Sequence, residues 1–390
     1  MATTFTAPSA FAAPVRHLSV KKTAIKPLPP ATRHVFIGQD RRMIAETASG
    51  LDFLAPDGSV VSHAPFDMVH TPIFTDYSPD GRFVSVSIEC GERGCRKGTR
   101  EKLTVFDSRG KELWAAHGCP SGGYLSPDGQ YAVCITMYGD PPVFINHHGI
   151  MNKEVLTPEF VHSSSWIYGE PGAQDFSRDS DLFAFSVWAG SNSAVALFDH
   201  TGRLLFQKVP GIVTDHFHFS KDDKVLFVMG HQHHQNPSQS RSSELQARST
   251  DSGKLLWRHT GLLASDYVFA VDETGQKILA ASNGSNTVYC FSIRDGHLLW
   301  EYSEPGFGAI SFMRAIPNGN NVVLAGQEFD AKKARQVIVV LGWDGEELAR
   351  TILPKATIPY RHYGLLALSL VGDSLQFVSH GIVNSIDLGK

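Results

Sequence analysis

The chain has 390 residues, 42% hydrophobic and 19% charged, with 35 Gly and 21 Pro; that is apolar material for a large core and too much for a disordered chain. Its 35 basic and 39 acidic residues leave a net charge of -4, which supplies no overall field for nucleic acid or an anionic lipid surface. No apolar run approaches the roughly 18 residues of a membrane span, and five scattered cysteines argue against a disulfide framework and for a reducing compartment.

The first 39 residues hold Arg16, Lys21, Lys22, Lys26 and Arg33 and no acid, so a +5 lead precedes a -9 body. Residues 1–16 read as a flexible segment of a cytoplasmic protein; so acid-poor a start also suits an organelle-targeting peptide, which stays open as the alternative. After the lead, one unit recurs. In a clear copy, an apolar run ends in the turn Tyr77-Ser78-Pro79-Asp80-Gly81 and a second run follows from Arg82 to Ile88. A third run, Leu103 to Phe106, closes at Asp107-Ser108-Arg109-Gly110 and leads to a fourth, Glu112 to Ala115. Asp supplies the side-chain acceptor and Gly the positive φ of a tight turn, so the unit is four antiparallel strands, A to D.

In this second unit the B–C loop carries Cys90, Arg93, Cys95, Arg96, Lys97, Arg100 and Lys102, and the next D–A connection carries Cys119. Cys90, Cys95 and Cys119 are candidates for a redox or metal-thiolate site, with ordinary unpaired thiols the plainer reading. Arg93, Arg96 and Lys97 are candidate partner contacts, against a solvated charge run; no aromatic residue is interleaved, which weighs against nucleic acid. The fourth unit adds Trp166, Tyr168 and Trp188 near the same face as candidate partner anchors, against packing between units. Cys134 and Cys290 fall inside strands and read as core.

The fifth unit is entered through Thr214-Asp215-His216-Phe217-His218, and its B–C loop begins His231-Gln232-His233-His234. Both stretches belong to one end of one unit, so His216, His218, His231 and His233 are candidate ligands for a transition metal. The competing reading is packed or solvated imidazoles, and no cofactor is expected on that reading.

The A–B turn recurs eight times, and the C–D turns stand 39 to 53 residues apart, which brackets the length of a four-stranded propeller blade. Runs such as Val225–Met229 and Val337–Leu341 are apolar on successive residues, so both faces must be buried, as between stacked blades. The fold expected is all-β, an eight-bladed β-propeller of four-stranded antiparallel blades, forming a single domain over residues 17–390. A seven-bladed ring would leave one unit outside. The last unit has strands A to C, and residues 17–25 are the expected donor of its outer strand.

Asp251-Ser-Gly-Lys254-Leu-Leu-Trp257, Arg294-Asp-Gly-His297-Leu-Leu-Trp300 and Arg109-Gly-Lys111-Glu-Leu-Trp114 resemble the turn-Gly-Lys-x-x-Trp docking motif of quinoprotein-like eight-bladed propellers. Ser-Pro-Asp-Gly at 78–81 and 126–129 is similar to the A–B turn of WD40-like repeats. The resemblance covers about residues 30–390 and implies the propeller. The quinoprotein dehydrogenases of that group pair a quinone with calcium and commonly carry a disulfide between adjacent cysteines; here no two cysteines are adjacent.

The function expected is a soluble, non-enzymatic scaffold that binds another protein through the face carrying the B–C and D–A loops. The alternative is a metal- or quinone-dependent oxidoreductase-like enzyme with its His and Cys residues on that face.

Overall fold

Alternating strand faces that are both apolar build sheets only where each sheet has a neighbour on either side, and this requirement organises the whole molecule. The structure is a computed structural model. It describes residues 15–22, 28–29, 32–66, 73–88, 102–119, 122–135, 142–153, 173–189, 192–208, 210–231, 242–263, 267–272, 274–282, 286–303, 307–317, 321–330, 333–353, 369–379 and 382–388.

These residues form eight sheets, each four antiparallel strands in the order A-B-C-D, with a fifth, parallel strand added to the seventh. The A strands are His34–Ile37, Ile73–Tyr77, Gly123–Leu125, Gln174–Phe176, Val213–Phe219, Tyr267–Val271, Phe307–Ala315 and Ser369–Val371, for blades 1 to 8. The consecutive apolar runs divide as the packing demands. In blade 7, Val337, Val339 and Leu341 enter the core shared with blade 6, whereas Ile338 and Val340 enter the core shared with blade 8.

The A and B strands that flank all eight expected A–B turns are present, with residues 273 and 318–320 of the sixth and seventh turns outside the described set. In blades 2 to 5 a serine hydroxyl donates to an aspartate two residues on: Ser78 to Asp80, Ser126 to Asp128, Ser177 to Asp179 and Ser220 to Asp222, at 2.7–2.8 Å. The left-handed position falls on Gly81 (φ 73) and Gly129 (φ 72), but on Ser180 (φ 69) and Asp223 (φ 56) in blades 4 and 5. The tryptophan motifs dock blade on blade. Trp257 of blade 5 donates Nε1–H to the Ile293 carbonyl at 2.7 Å, and a Cβ added at Gly296 would stand 2.5 Å from its ring. Trp300 repeats the bond to the Trp343 carbonyl at 3.0 Å.

The lead closes the ring. Val20–Lys22 is the outer strand of blade 8, antiparallel to Ile382–Asp387, with Val20 opposite Ile386 and Lys22 opposite Asn384. Closure of the last blade from 17–25 is therefore met by these three residues; residues 23–27 lie outside the described set. Arg16–His17 instead pairs parallel to Glu347–Leu353 of blade 7. Between the two short strands, Leu18 is 4% exposed in the core shared by blades 7 and 8. On the far side of blade 8, Val383 packs with Ile37, Met43, Ala45 and Leu54 of blade 1, which completes the circle.

Candidate functional site

Aligning blades 1 to 7 on their A–B turns puts one residue of each inner strand in the same register. Phe36 faces Ile44, Asp76 faces Ser85, Tyr124 faces Val133 and Asp175 faces Ala184. His218 faces Phe227, Ala270 faces Leu279 and Arg314 faces Val323. Inner strands surround the axis of a propeller, so this set is one layer of the central channel, near its A–B turn end. It carries two carboxylates, an imidazole and a guanidinium in strands otherwise rich in apolar residues.

The members bond from blade to blade. Asp76 accepts the Leu125 N–H of blade 3 at 2.7 Å, His218 Nδ1 lies 3.5 Å from Asp175 Oδ2 of blade 4, and the His218 ring stacks on Phe269 of blade 6. Next to the layer, Glu46 accepts the Tyr77 hydroxyl at 2.8 Å and the Thr75 hydroxyl as well. Burial, and then the Glu46 charge, hold the Tyr77 phenol well above its ordinary range.

Burial pushes the Asp76 carboxyl up to about 6, against the backbone N–H groups that favour its charged form. A raised folded-state pKa gives stability that is fully present below the unfolded pKa, near 4, and lost as pH rises through about 6. Asp76→Asn keeps an oxygen acceptor without the charge. It is expected to match the wild type at pH 4 and to exceed it by roughly 1–3 kcal/mol at pH 8, read from urea midpoints; equal midpoints at both pH values contradict the account.

The expected histidine site divides. His231 Nδ1 lies 2.8 Å from Asp215 Oδ2 at the loop end of blade 5. His218 is opposite Phe227, four residues along the same B strand from His231, or roughly 13 Å at about 3.3 Å per residue. His216 pairs in register with Met229, next to a bulge at Asp215. His233 and His234 lie outside the described residues, and among the described residues no group of three or more His, Cys, Asp or Glu is placed to hold a metal ion.

Cys119 has a partner that spacing did not indicate. The connection from blade 2 runs back along strand B of blade 3, Gly123 pairs with Cys134, and Cys119 and Cys134 form a disulfide whose Cα atoms are 5.4 Å apart. Cys134, read from the sequence as core, is thus both core and cross-link, with both cysteines 0% exposed. Cys290 is a buried free thiol whose pKa burial pushes up to about 12. Cys90 and Cys95 lie outside the described residues. The cross-link closes a separation of 15 residues, for which chain entropy gives about 3 kcal/mol. The Cys119→Ala/Cys134→Ala variant is expected to lose about that much in urea unfolding; a variant as stable as the wild type contradicts the bond.

Of the expected partner contacts, Arg93, Arg96, Lys97, Trp166 and Tyr168 lie outside the described residues. The Trp188 backbone pairs with Ser193 at the loop end of blade 4. On the opposite face, Asp128, Asp181, His147 and His200 line a groove of about 280 Å³ between blades 3 and 4. The Tyr131 phenol beside it is pushed up by burial and then by Asp128, Asp181, Asp179 and Asp199. The sequence explains Asp128 and Asp179 as turn formers, and their hydrogen bonds agree. Asp175 and Arg314 were missed because neither stands out within its own strand, Gln174–Phe176 or Phe307–Ala315. Stacking the units on their A–B turns would have shown the column.

No protein-family model and no curated protein matches the chain. Among solved structures it is similar to the C-terminal WD40 domain of Sif2, with TM-score 0.61 and 12% identity over 95% of this chain and 98% of that one. It is also similar to the Dos1 propeller, with TM-score 0.59 and 13% identity over 95% and 96%. At these identities the likeness shows the shared fold, a WD40-like eight-bladed propeller.

Proposed function

We propose that the protein is a non-enzymatic propeller scaffold that binds another protein through the face bearing the B–C and D–A loops. One observation carries the reading: B–C hairpins stand proud of their blades on that side. In blade 7, strands Asn321–Asp330 and Lys333–Gly342 stay paired out to Asp330 and Lys333, whereas among the described residues strand D is paired as far as Gln336. Blade 4 repeats this, with strands B and C paired to Ala189 and Asn192 and strand D, among the described residues, paired as far as Val195. On the other face, the A–B turns of blades 2 to 5 are short and closed by their own Ser–Asp bonds. Rigid projections on one side of a fixed ring suit recognition of a surface.

The test is affinity purification from native lysate with the wild type and a variant whose residues 328–335 are replaced by an Asn-Gly hairpin. A stoichiometric protein partner lost from the variant supports the reading, and the absence of any stable partner for the wild type removes it.

A second reading, a metal-dependent site on the same face, is favoured by Asp215 and His231. A carboxylate on Nδ1 fixes the tautomer and leaves Nε2 as the ligating nitrogen, an arrangement common behind metal-binding histidines. Stoichiometric metal in the purified protein, lost in His231→Ala, supports it; a metal-free protein removes it.

A further inference from the structure

We infer that the turn end of the central channel is a binding site for a small oxyanion, a carboxylate or phosphate group, held by Arg314. Arg314 belongs to the channel layer built above, between Met313 and Ala315, which pack into the core shared with blade 6. Its register partner Val323 lies on the opposite side, toward blade 8. Its side chain is exposed, yet the protein around it is dense enough for desolvation to hold the guanidinium below its ordinary range, with Asp175 the one charge acting on it from the other side of the balance.

Asp175 is in blade 4 and Arg314 in blade 7, with two blades between them. They are not neighbours on the ring, so their interaction runs across the channel lumen and the guanidinium is directed into it. The intervening position of the layer toward His218 is Ala270, the smallest side chain in the set. Among the described residues, Arg314 makes no hydrogen bond and no ion pair within 4 Å, while Asp175 has His218 at 3.5 Å.

A guanidinium carries five N–H donors in a planar fork that matches carboxylate and phosphate oxygens. Without an acceptor of its own among the described residues, it offers a small oxyanion two parallel charge-assisted bonds. Asp175 repels that anion, and this sets a test that a merely structural arginine would not pass. For charges roughly 12 Å apart in an effective dielectric near 20, removing the Asp175 charge is worth about a tenfold gain in anion affinity.

The experiment is isothermal titration of the full-length protein, at matched ionic strength, with inorganic phosphate, with succinate and with a hexapeptide containing two glutamates. One-to-one binding of any of the three, lost in Arg314→Gln and about tenfold tighter in Asp175→Asn, supports the inference. Tightest binding by phosphate or succinate assigns a free small molecule as the source, and tightest binding by the peptide assigns a protein segment. No binding by all three, binding that survives Arg314→Gln, or an affinity unchanged in Asp175→Asn overturns it. The Asp175→Asn arm remains decisive should Arg314→Gln fail to fold.

Discussion

Deletion of residues 1–22 is expected to lower stability by at least about 4 kcal/mol and to make the protein aggregate as its concentration rises. Part of the loss is Leu18, 4% exposed in the core between blades 7 and 8; removing a leucine from such a site costs about 2–5 kcal/mol. The rest comes from the three paired residues Val20–Lys22 and from the Arg16 guanidinium, which donates to the Leu388 carbonyl at 3.2 Å. Without the lead, strand Ile382–Asp387 becomes an unpaired edge beside an opened core, and an unprotected edge is a template for pairing with another chain. Leu18→Ala separates the two contributions, because it removes the side chain and leaves the strand. It should show the leucine loss alone, without aggregation. A deletion variant that stays monomeric with its urea midpoint unchanged contradicts closure by this segment.

The second large effect lies in blade 5, where Glu244, Gln246 and Arg248 point the same way from strand C and are 4%, 1% and 7% exposed. Their neighbours Leu245 and Ala247 serve the core shared with blade 6. The row is satisfied internally. Gln246 Oε1 accepts from Arg248 Nε at 2.9 Å and from Nη2 at 2.7 Å. Gln246 Nε2 donates to the Pro210 carbonyl and to Glu244 Oε1, and Arg248 Nη1 donates to the Gly253 carbonyl at 2.9 Å. Desolvation already holds the Arg248 guanidinium below its usual range.

Gln246→Leu conserves volume but strips Arg248 of two of its bonds and leaves the Pro210 carbonyl without that donor. A buried charge that loses its partner costs about 3–5 kcal/mol. Replacing all three residues together with Leu, Leu and Met should recover most of this, since a buried polar network often contributes little over an apolar one of the same shape. A Gln246→Leu protein within roughly 0.5 kcal/mol of the wild type, the usual range for a neutral surface change, would show the row to be looser than its distances indicate.

The ring was legible because its signals are local and repeated. The Ser-x-Asp staple and the left-handed residue that follows it are short-range chemistry, so the sequence places the A–B turns of blades 2 to 5, even where Ser180 and Asp223 stand in for glycine. The successive apolar residues of Val337–Leu341 announce burial on both faces, and the two cores they enter bear this out. The closing strand was legible as a need of the last blade. Its length was not: a two-residue parallel pairing such as Arg16 and His17 with Ala349 and Arg350 leaves no pattern in a sequence.

Long-range geometry escaped for definite reasons. Cys119 meets Cys134 because a connection doubles back along a strand, and spacing in the chain does not encode that. His218 and His231 look like neighbours when the loops are written out, but a hairpin puts them at opposite ends. The channel layer is a column of residues about 40 to 50 apart, each unremarkable in its own strand.

Site-specific photo-crosslinking compares the two faces of the ring most directly. A crosslinking residue is placed at Asn192 or Asp330 on the projecting hairpins, or at exposed Lys221 or Asp251 on the turn face, and the protein is irradiated in native lysate. Discrete adducts with one protein partner from the hairpin positions, and none from the turn positions, are the result expected. Adducts confined to the turn positions, or no protein adduct from either face, would contradict a scaffold that works through its loops.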